Sequence, residues 1–582
     1  MDRCRELLNE LNKEASGIRP KKYGIEKKET FMVPMEDGKK LYTRIFFPKG
    51  VKKGILTFQR SCYEFQIPIF EWMAAEMAQR GYISGYQLCR GIGASEGEWE
   101  PFTNERSDGL ATLKWLQEQD FAEQIGLYGL SYGGYAWWLT ADRLPSKVKT
   151  IVIAQAGIDR YHSIYEGGCF RHDVYTAWAI ENAGFALKEH YPACCQYRPF
   201  LEMDEALLGK KLPWFREWLS HPDEEDTYWK EGVWGFLKEV AEKITVPVCL
   251  LGGWYDHHLE GMFYAWNHLK DDVKVESSFL IGPWIHGLHN GIDAYDIKNH
   301  EHDSCFGFNE AFRHMDSFFY GHKPGDGKKP VKGLQGYIIG EDRWIKEKEI
   351  RVRDKVKIQL KYLDHRTNGK ETPDFDVEKC AAEKEEPITD GCSFIHDPNR
   401  PIDAMGGESM LYAPLSVKGV RKQLLGTIAE KDERIVSFYS DVLKQKLMVA
   451  GSIRVVLDVS SDAPDTAIVV KLMEEFEDGT AYNIRGGAST FSYRNGAKKR
   501  MDDYAPGEVV FLKFDLWPIM WSFKKGSRIR LDVSSSHFPE YHVHTNTKGP
   551  FAMQDKARIA INRIDKENVY LLLPVGELTG ED

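Results

Sequence analysis

The most constraining feature of this chain is the segment 128–134, which reads Tyr-Gly-Leu-Ser-Tyr-Gly-Gly. The apolar run 125–128 predicts a short buried strand, and residues 133–140 predict the start of a helix. A serine at a strand-to-helix corner, with a glycine two residues to either side, is typical of a nucleophile exposed at the carboxyl edge of a sheet. The glycines are needed because a Cβ would collide with the adjacent strand and helix.

A second match to the G-x-S-x-G pattern surrounds Ser95, at residues 93–97. It runs into Glu-Trp-Glu-Pro at 98–101 rather than into a helical pattern, which indicates a loop. We therefore predict that Ser131, and not Ser95, is the nucleophile.

Composition narrows the class of protein. At 582 residues the chain is too long for a single hydrophobic core. A net charge of -11 and the lack of a basic face argue against nucleic acid as a partner, and no segment approaches the apolar length of a membrane span. The first residues carry charges of both signs without a secretory signal pattern, and ten scattered cysteines without a C-x-x-C pair favour reduced thiols. We expect a cytoplasmic protein that acts on a small molecule, with a homodimer left open.

The hydrophobic pattern changes three times along the chain. Strands alternate with helices up to about residue 156, which predicts a parallel sheet, and this alternation resumes at 246–251 and 278–281. The intervening stretch is rich in aromatic residues at helical spacing, and the last part alternates with period two between turns. We predict an α/β domain (1–157 and 241–345), an inserted helical cap (158–240) and an all-β jelly-roll sandwich (346–582).

A serine nucleophile needs a histidine base and an acid that orients it. Asp256 follows a predicted strand and the turn 252–254, and His286 follows the next predicted strand. His257, His258 and His289 are rivals of His286, and the H-x-x-H spacing of 286 and 289 is also compatible with a metal. Because no acidic ligand is close by in sequence and a nucleophile is already present, we predict no metal and no cofactor.

These motifs together resemble the cocaine esterase and Xaa-Pro dipeptidyl-peptidase family of serine hydrolases. The similarity extends over nearly all of the chain after residue 30. The segments that carry it are 33–38, 60–63, 90–98, 129–134, 253–256, 282–286, 459–466, 532–536 and 538–539.

The resemblance implies an α/β-hydrolase domain, a helical cap and a C-terminal jelly roll. It implies Ser131 as nucleophile, His286 as base and Asp256 as the orienting acid. It further implies that the hydroxyl of Tyr63 and the backbone N–H of Tyr132 form the oxyanion hole. The chain departs from the family pattern with Leu88 where relatives commonly have aspartate, and with Cys62 where proline is usual beside the tyrosine.

The family resemblance also bears on the substrate. The branch that acts on α-amino-acid esters has two carboxylates shortly after the triad acid, whereas this chain has His258 and Leu259 there. We therefore expect a carboxylic ester hydrolase that works through an acyl-enzyme. A bulky acyl or alcohol group would contact the cap, including Tyr165, together with His258 and a jelly-roll loop near Met410 and Leu411.

Two alternatives stay open at this point. The same triad would serve an amide hydrolase, either an acylase or a dipeptidyl-peptidase. From a different class, the jelly roll resembles carbohydrate-binding modules, which would suit a binding protein with a relic triad, although the intact set of candidate residues disfavours that interpretation.

Overall fold

The computed structural model describes residues 18–290, 308–321, 332–353, 355–363, 390–408, 418–423 and 432–579. The strands, numbered along the chain, are β1 Ile25–Pro34, β2 Lys40–Pro48, β3 Gly54–Ser61, β4 Ile83–Leu88, β5 Ala122–Leu130, β6 Val148–Ala154, β7 Tyr165–Glu166, β8 Cys169–Phe170, β9 Val248–Tyr255, β10 Ser278–Ile285, β11 His289–Asn290, β12 Gly333–Ile338, β13 Arg343–Lys346, β14 Ile350–Val352, β15 Val356–Gln359, β16 Lys361–Tyr362, β17 Gly391–His396, β18 Val436–Tyr439, β19 Leu447–Gly451, β20 Arg454–Ser461, β21 Ala467–Glu475, β22 Ala481–Thr490, β23 Val510–Asp515, β24 Ile519–Phe523, β25 Arg528–Ser534, β26 Ala560–Leu573 and β27 Gly576–Leu578. The α-helices are α1 Ile67–Gln79, α2 Glu105–Glu118, α3 Tyr132–Trp138, α4 Arg160–Ile164, α5 Ala177–Asn182, α6 Leu187–Gln196, α7 Met203–Leu208, α8 Pro213–Ser220, α9 Thr227–Lys230, α10 Gly232–Val240, α11 Leu259–Asn267, α12 Asp271–Lys274 and α13 Phe308–Tyr320.

An 11-stranded mixed sheet organises the first part of the chain, in the order β1-β2-β4-β3-β5-β6-β9-β10-β12-β13, with β11 paired to β10. The strands from β4 to β12 in this order run parallel, and the edges are antiparallel. Strands β4, β9 and β10 are buried along their whole length, as expected for strands covered on both faces. This explains why β9 and β10 are almost continuously apolar, whereas the polar residues Ser84 and Gln87 of β4 are buried with hydrogen-bond partners.

The order of the strands decides where loops can meet. Strands β5, β6, β9 and β10 are neighbours in the sheet and run in the same direction. The loops that follow them therefore meet at one edge of the sheet. The chain leaves the sheet at this edge after β6, so the inserted helices begin here, and it re-enters at the opposite edge, where the parallel strand β9 starts.

The inserted segment contains helices α4 to α10 and the short hairpin β7-β8. Its interior is aromatic: the ring of Trp218 lies 5.8 Å from that of Trp178 and 5.2 Å from that of Trp214. A turn of π-helix, His172–Thr176, precedes α5. The predicted helical insertion is thus present, with a core built from rings.

The last part of the chain packs two five-stranded sheets, β15-β26-β20-β23 with β17 on β26, and β16-β18-β25-β21-β22. All pairs within them are antiparallel. This β-sandwich and the α/β sheet with its helical insertion confirm the predicted fold class. The predicted boundaries at 157/158, 240/241 and 345/346 stay predictions.

None of the helices in the described ranges combines the length and the apolar character that a membrane crossing requires.

A buried ionic network joins the hairpin β7-β8 to the β-sandwich. Arg171, which is fully buried, donates to Glu166 and to Glu540, each at 3.1 Å. Its guanidinium is 3.7 Å from Glu408, which also accepts a 2.8 Å bond from Arg485. Burial raises the pKa of Glu166 to about 8 and that of Glu408 to about 7. Arg171 is therefore the cation around which the carboxylates of both parts gather.

Replacing Arg171 by Met is expected to destabilise the fold by about 3–5 kcal/mol, because it leaves buried carboxylates without their shared cation. Thermal unfolding followed by calorimetry measures the change. Arg454→Met is the matched control: Arg454 pairs with Asp515 at 2.7 Å at the surface, where an ion pair contributes at most about 1 kcal/mol. Equal shifts in the two variants would show that the buried network does not hold the parts together.

Candidate active site

Ser131 occupies the sharp turn between β5 and α3. Its backbone has φ 54° and ψ −121°, a conformation that costs a non-glycine residue on the order of 1–3 kcal/mol. The turn is held by a hydrogen bond of 2.9 Å from the N–H of Ser131 to the carbonyl of Ala154 on β6. This is the geometry of a nucleophile elbow, in which the serine hydroxyl is presented outside the carboxyl edge of the sheet.

Asp256 and His286 follow the neighbouring strands β9 and β10 directly. The Nε2 atom of His286 lies 3.0 Å from Oγ of Ser131, and its Nδ1 atom lies 2.5 Å from Oδ2 of Asp256. Asp256 is fully buried, and its other oxygen accepts the backbone N–H of His258 at 2.8 Å. The structure thus brings the three residues proposed from the sequence into one hydrogen-bonded chain.

Gln155, at the end of β6, clamps the loop that carries His286. Its amide donates to the carbonyl of Ile285 at 2.8 Å and accepts the N–H groups of Gly287 and Leu288 at 2.6 and 3.0 Å. Gln155 is fully buried and itself has a positive φ of 48°. This residue was not predicted, because no local pattern distinguishes a glutamine after a strand as a partner of a loop 130 residues away.

Tyr63 follows strand β3 and lies near Ser131. Its hydroxyl accepts the indole N–H of Trp178 at 3.2 Å and lies near enough to Ser131 to interact with it. Burial raises the pKa of Tyr63, so the phenol keeps its proton. Since the indole donates to the oxygen, the phenol proton is free to point towards Ser131.

Trp178 is a second residue that was not predicted, since an aromatic residue among many in the predicted cap carries no local sign of such a contact. Besides its bond to Tyr63, the ring of Trp178 is stacked on that of Tyr132, at 6.3 Å and 19°. Tyr132 is anchored in turn: its hydroxyl donates to Glu105 at 3.0 Å and accepts the N–H of Phe102 at 2.9 Å. The side chain of Tyr132, the first residue of α3, is therefore held in place, and its backbone directly follows Ser131.

His257 and His258 lie beside the triad. Their rings are 3.9 Å apart, and that of His257 is 4.6 Å from His286. His258 contacts the hydroxyl of Tyr135 through Nδ1 at 3.2 Å. Burial, helped by the neighbouring imidazoles, holds the pKa of both well below the ordinary value. Both are neutral near pH 7, and together with His286 they are the candidate metal ligands of the described residues.

Two further residues considered from the sequence, Ser95 and Tyr165, are buried, and each donates a hydrogen bond to a backbone carbonyl. Ser95 is buried, donates to the carbonyl of Leu88 at 2.8 Å and accepts the N–H of Tyr42 at 2.9 Å, so its hydroxyl is engaged by backbone. Tyr165 is buried and donates to the carbonyl of Trp218 at 2.8 Å.

The rings close to Tyr165 are those of Tyr161, Phe170 and Phe551, and none of these contacts is with the triad. Met410 and Leu411 lie outside the described residues, and the side chain of His289 is likewise not described.

Two solved structures have the same fold over nearly the whole chain. An α-amino acid ester hydrolase superposes with a TM-score of 0.72 at 19% identity, covering 94% of this chain and 96% of that one. An aminopeptidase from the marine sediment archaeon Thaumarchaeota archaeon gives a TM-score of 0.74 at 20% identity, covering 97% and 99%.

Sequence comparison agrees with the fold. Residues 37–288 match the model of the X-Pro dipeptidyl-peptidase (S15) family, and residues 363–566 match the X-Pro dipeptidyl-peptidase C-terminal non-catalytic domain. The cocaine esterase of Rhodococcus sp. (strain MB1 Bresler) is 24% identical over 578 residues, which cover 94% of this chain and 97% of that protein. The chain belongs to the cocaine esterase and X-Pro dipeptidyl-peptidase family of serine hydrolases.

Proposed function

We propose that this chain hydrolyses carboxylic esters through an acyl-enzyme on Ser131. The observation that carries the proposal is the hydrogen-bonded chain from Ser131 through His286 to Asp256, at 3.0 and 2.5 Å. A serine hydroxyl at a strained turn, next to an imidazole whose far nitrogen donates to a buried carboxylate, is the arrangement that nucleophilic acyl transfer requires.

In the acylation step, Oγ of Ser131 attacks the ester carbonyl while Nε2 of His286 accepts its proton. Asp256 holds the tautomer in which Nδ1 carries hydrogen and stabilises the imidazolium that forms. When the tetrahedral intermediate collapses, His286 returns the proton to the departing alcohol. Water activated by the same imidazole then hydrolyses the acyl-enzyme.

The negative charge on the tetrahedral oxygen needs donors that are already in place. We assign these roles to the hydroxyl of Tyr63 and the backbone N–H of Tyr132. The bond from Trp178 supports the first assignment, because an indole that donates to the phenol oxygen leaves the phenol proton free to point towards Ser131. The anchored side chain of Tyr132 supports the second.

The ester preference rests on the residues after the triad acid. His257 and His258 are neutral rings there, and Leu259 is apolar, so a cationic amine finds no carboxylate at these positions. Amide hydrolysis by the same triad is the second candidate, which the X-Pro peptidase family match favours. His258, Tyr165, Met410 and Leu411 stay the predicted contacts of the acyl or alcohol group.

Ser131→Ala is expected to lower kcat on a p-nitrophenyl ester by on the order of a millionfold, because the triad acts as one unit. Ser95→Ala is the matched control and should keep most of the activity, since its hydroxyl bonds only backbone groups. The reverse pattern would reject the elbow as the site of chemistry.

The wild-type enzyme should turn over p-nitrophenyl esters with a higher kcat/KM than aminoacyl anilides or Xaa-Pro anilides. A steady-state panel of these three substrate classes measures the difference. Faster cleavage of an anilide would replace the ester assignment by the amide one while leaving the triad intact.

Tyr63→Phe should lower kcat by about a hundred- to a thousandfold with little change in KM, because it removes one donor aimed at charge that exists only in the transition state. Since the ring stays, the melting temperature should not change. A fully active variant would remove Tyr63 from the oxyanion hole.

Trp178→Phe tests the hydrogen bond between Trp178 and Tyr63 by removing its donor. Losing one neutral hydrogen bond should cost about three- to tenfold in kcat. In the Tyr63→Phe background the same change should add nothing, since the hydroxyl that the indole orients is gone. An additive loss in the double variant would mean that Trp178 acts through another contact.

A further inference from the structure

Three imidazoles converge on the nucleophile. The ring of His258 lies 3.9 Å from that of His257 and 5.5 Å from that of His286, and the third pair is 4.6 Å apart. Their ligand nitrogens all lie within 4.8 Å of one another. Three neighbouring imidazole nitrogens form a donor set suited to Zn²⁺, Ni²⁺ or Cu²⁺.

Each ring has a nitrogen available for a ligand. The Nδ1 atom of His257 is buried and has no hydrogen-bond partner within the described part of the chain. His258 uses Nδ1 with Tyr135, which leaves Nε2. Nδ1 of His286 is bonded to Asp256, so Nε2, which faces Ser131, offers its lone pair to a ligand. The orphaned nitrogen of His257 in particular points to a ligand that the hydrolysis itself does not use.

We propose that His257, His258 and His286 bind a divalent transition metal of the Zn²⁺ type, and that this metal switches the hydrolase off. The inference rests on the proposed function, because it takes His286 as the base. The Nε2 lone pair of His286 can accept the proton of Ser131 or bind a metal, but it cannot do both. With Oγ of Ser131 only 3.0 Å from this nitrogen, the serine is close enough to supply a fourth ligand.

The charges around the three imidazoles act in opposite directions on a bound metal. Arg160 and Arg171 lie near enough to influence His257 electrostatically, and their positive charge opposes a dication. The carboxylate of Asp256, bonded to His286, offsets part of this effect. The metal is therefore an inhibitor that a chelator removes, and it takes no part in the hydrolysis.

The first test is a ZnCl₂ titration of p-nitrophenyl ester hydrolysis in metal-free buffer. Activity should fall with a stoichiometry of one metal per chain and should return with EDTA. Compared with its own metal-free activity, His257→Gln should need at least about tenfold more Zn²⁺ for the same fractional inhibition. His268→Gln is the matched control: His268 directly follows α11, its Nδ1 contacts the carbonyl of Tyr264, and inhibition of this variant should equal that of the wild type.

The second test measures binding without activity. Ser131→Ala keeps all three imidazoles and should bind one Co²⁺ with visible absorption bands that Zn²⁺ displaces. The double variant Ser131→Ala/His257→Gln should bind Co²⁺ at least about tenfold more weakly.

Wild-type activity that does not respond to Zn²⁺, or equal inhibition of wild type and His257→Gln, would overturn the proposal. Failure of a fluorophosphonate to label Ser131 in the presence of EDTA would instead reject the proposed function, and the Co²⁺ titration would still report on the metal site.

Discussion

The active-site geometry depends on the close packing of the turn at Ser131 against the end of β3. A Cβ on Gly133 would come within 2.6 Å of the carbonyl oxygen of Arg60, and one on Gly129 within 2.2 Å of the carbonyl of Gly133. Only glycine permits this approach, which places the serine beside the loop that carries Tyr63. The side chain of Arg60 is itself held by a buried ion pair with Glu105, at 3.1 Å. The position of Ser131 relative to the loop of Tyr63 is thus set by backbone packing.

Much of this arrangement was predictable, and the reason is topological. In a parallel sheet the loops after neighbouring strands meet, so a serine, an aspartate and a histidine that each follow a strand are expected to lie together. Ser131, Asp256 and His286 meet that condition, and their hydrogen bonds agree with it. The strand patterns were equally clear, because buried parallel strands are continuously apolar.

What the sequence did not reveal depends on long-range partners. The role of Tyr63 was expected only from the family resemblance, since a tyrosine in a loop carries no local sign of a catalytic function. Gln155 and Trp178 were missed because each acts through a residue more than a hundred positions away. The engaged hydroxyl of Ser95 became visible only with its backbone partners in place.

The buried cation of Arg171 connects the inserted cap, the β-sandwich and the site. Arg171 gathers carboxylates from both, and its charge also influences His257 beside the triad. The neutral rings of His257 and His258 thus lie near a buried cation whose charge is balanced by carboxylates.

The central claim is that Ser131 is the nucleophile. Its most direct test is to label the active enzyme with a fluorophosphonate in the presence of EDTA and to locate the adduct by peptide mass spectrometry. The account predicts one phosphonyl group per chain, on Ser131, with loss of activity in proportion to labelling. An adduct on another residue, or full inactivation with Ser131 unmodified, would contradict it.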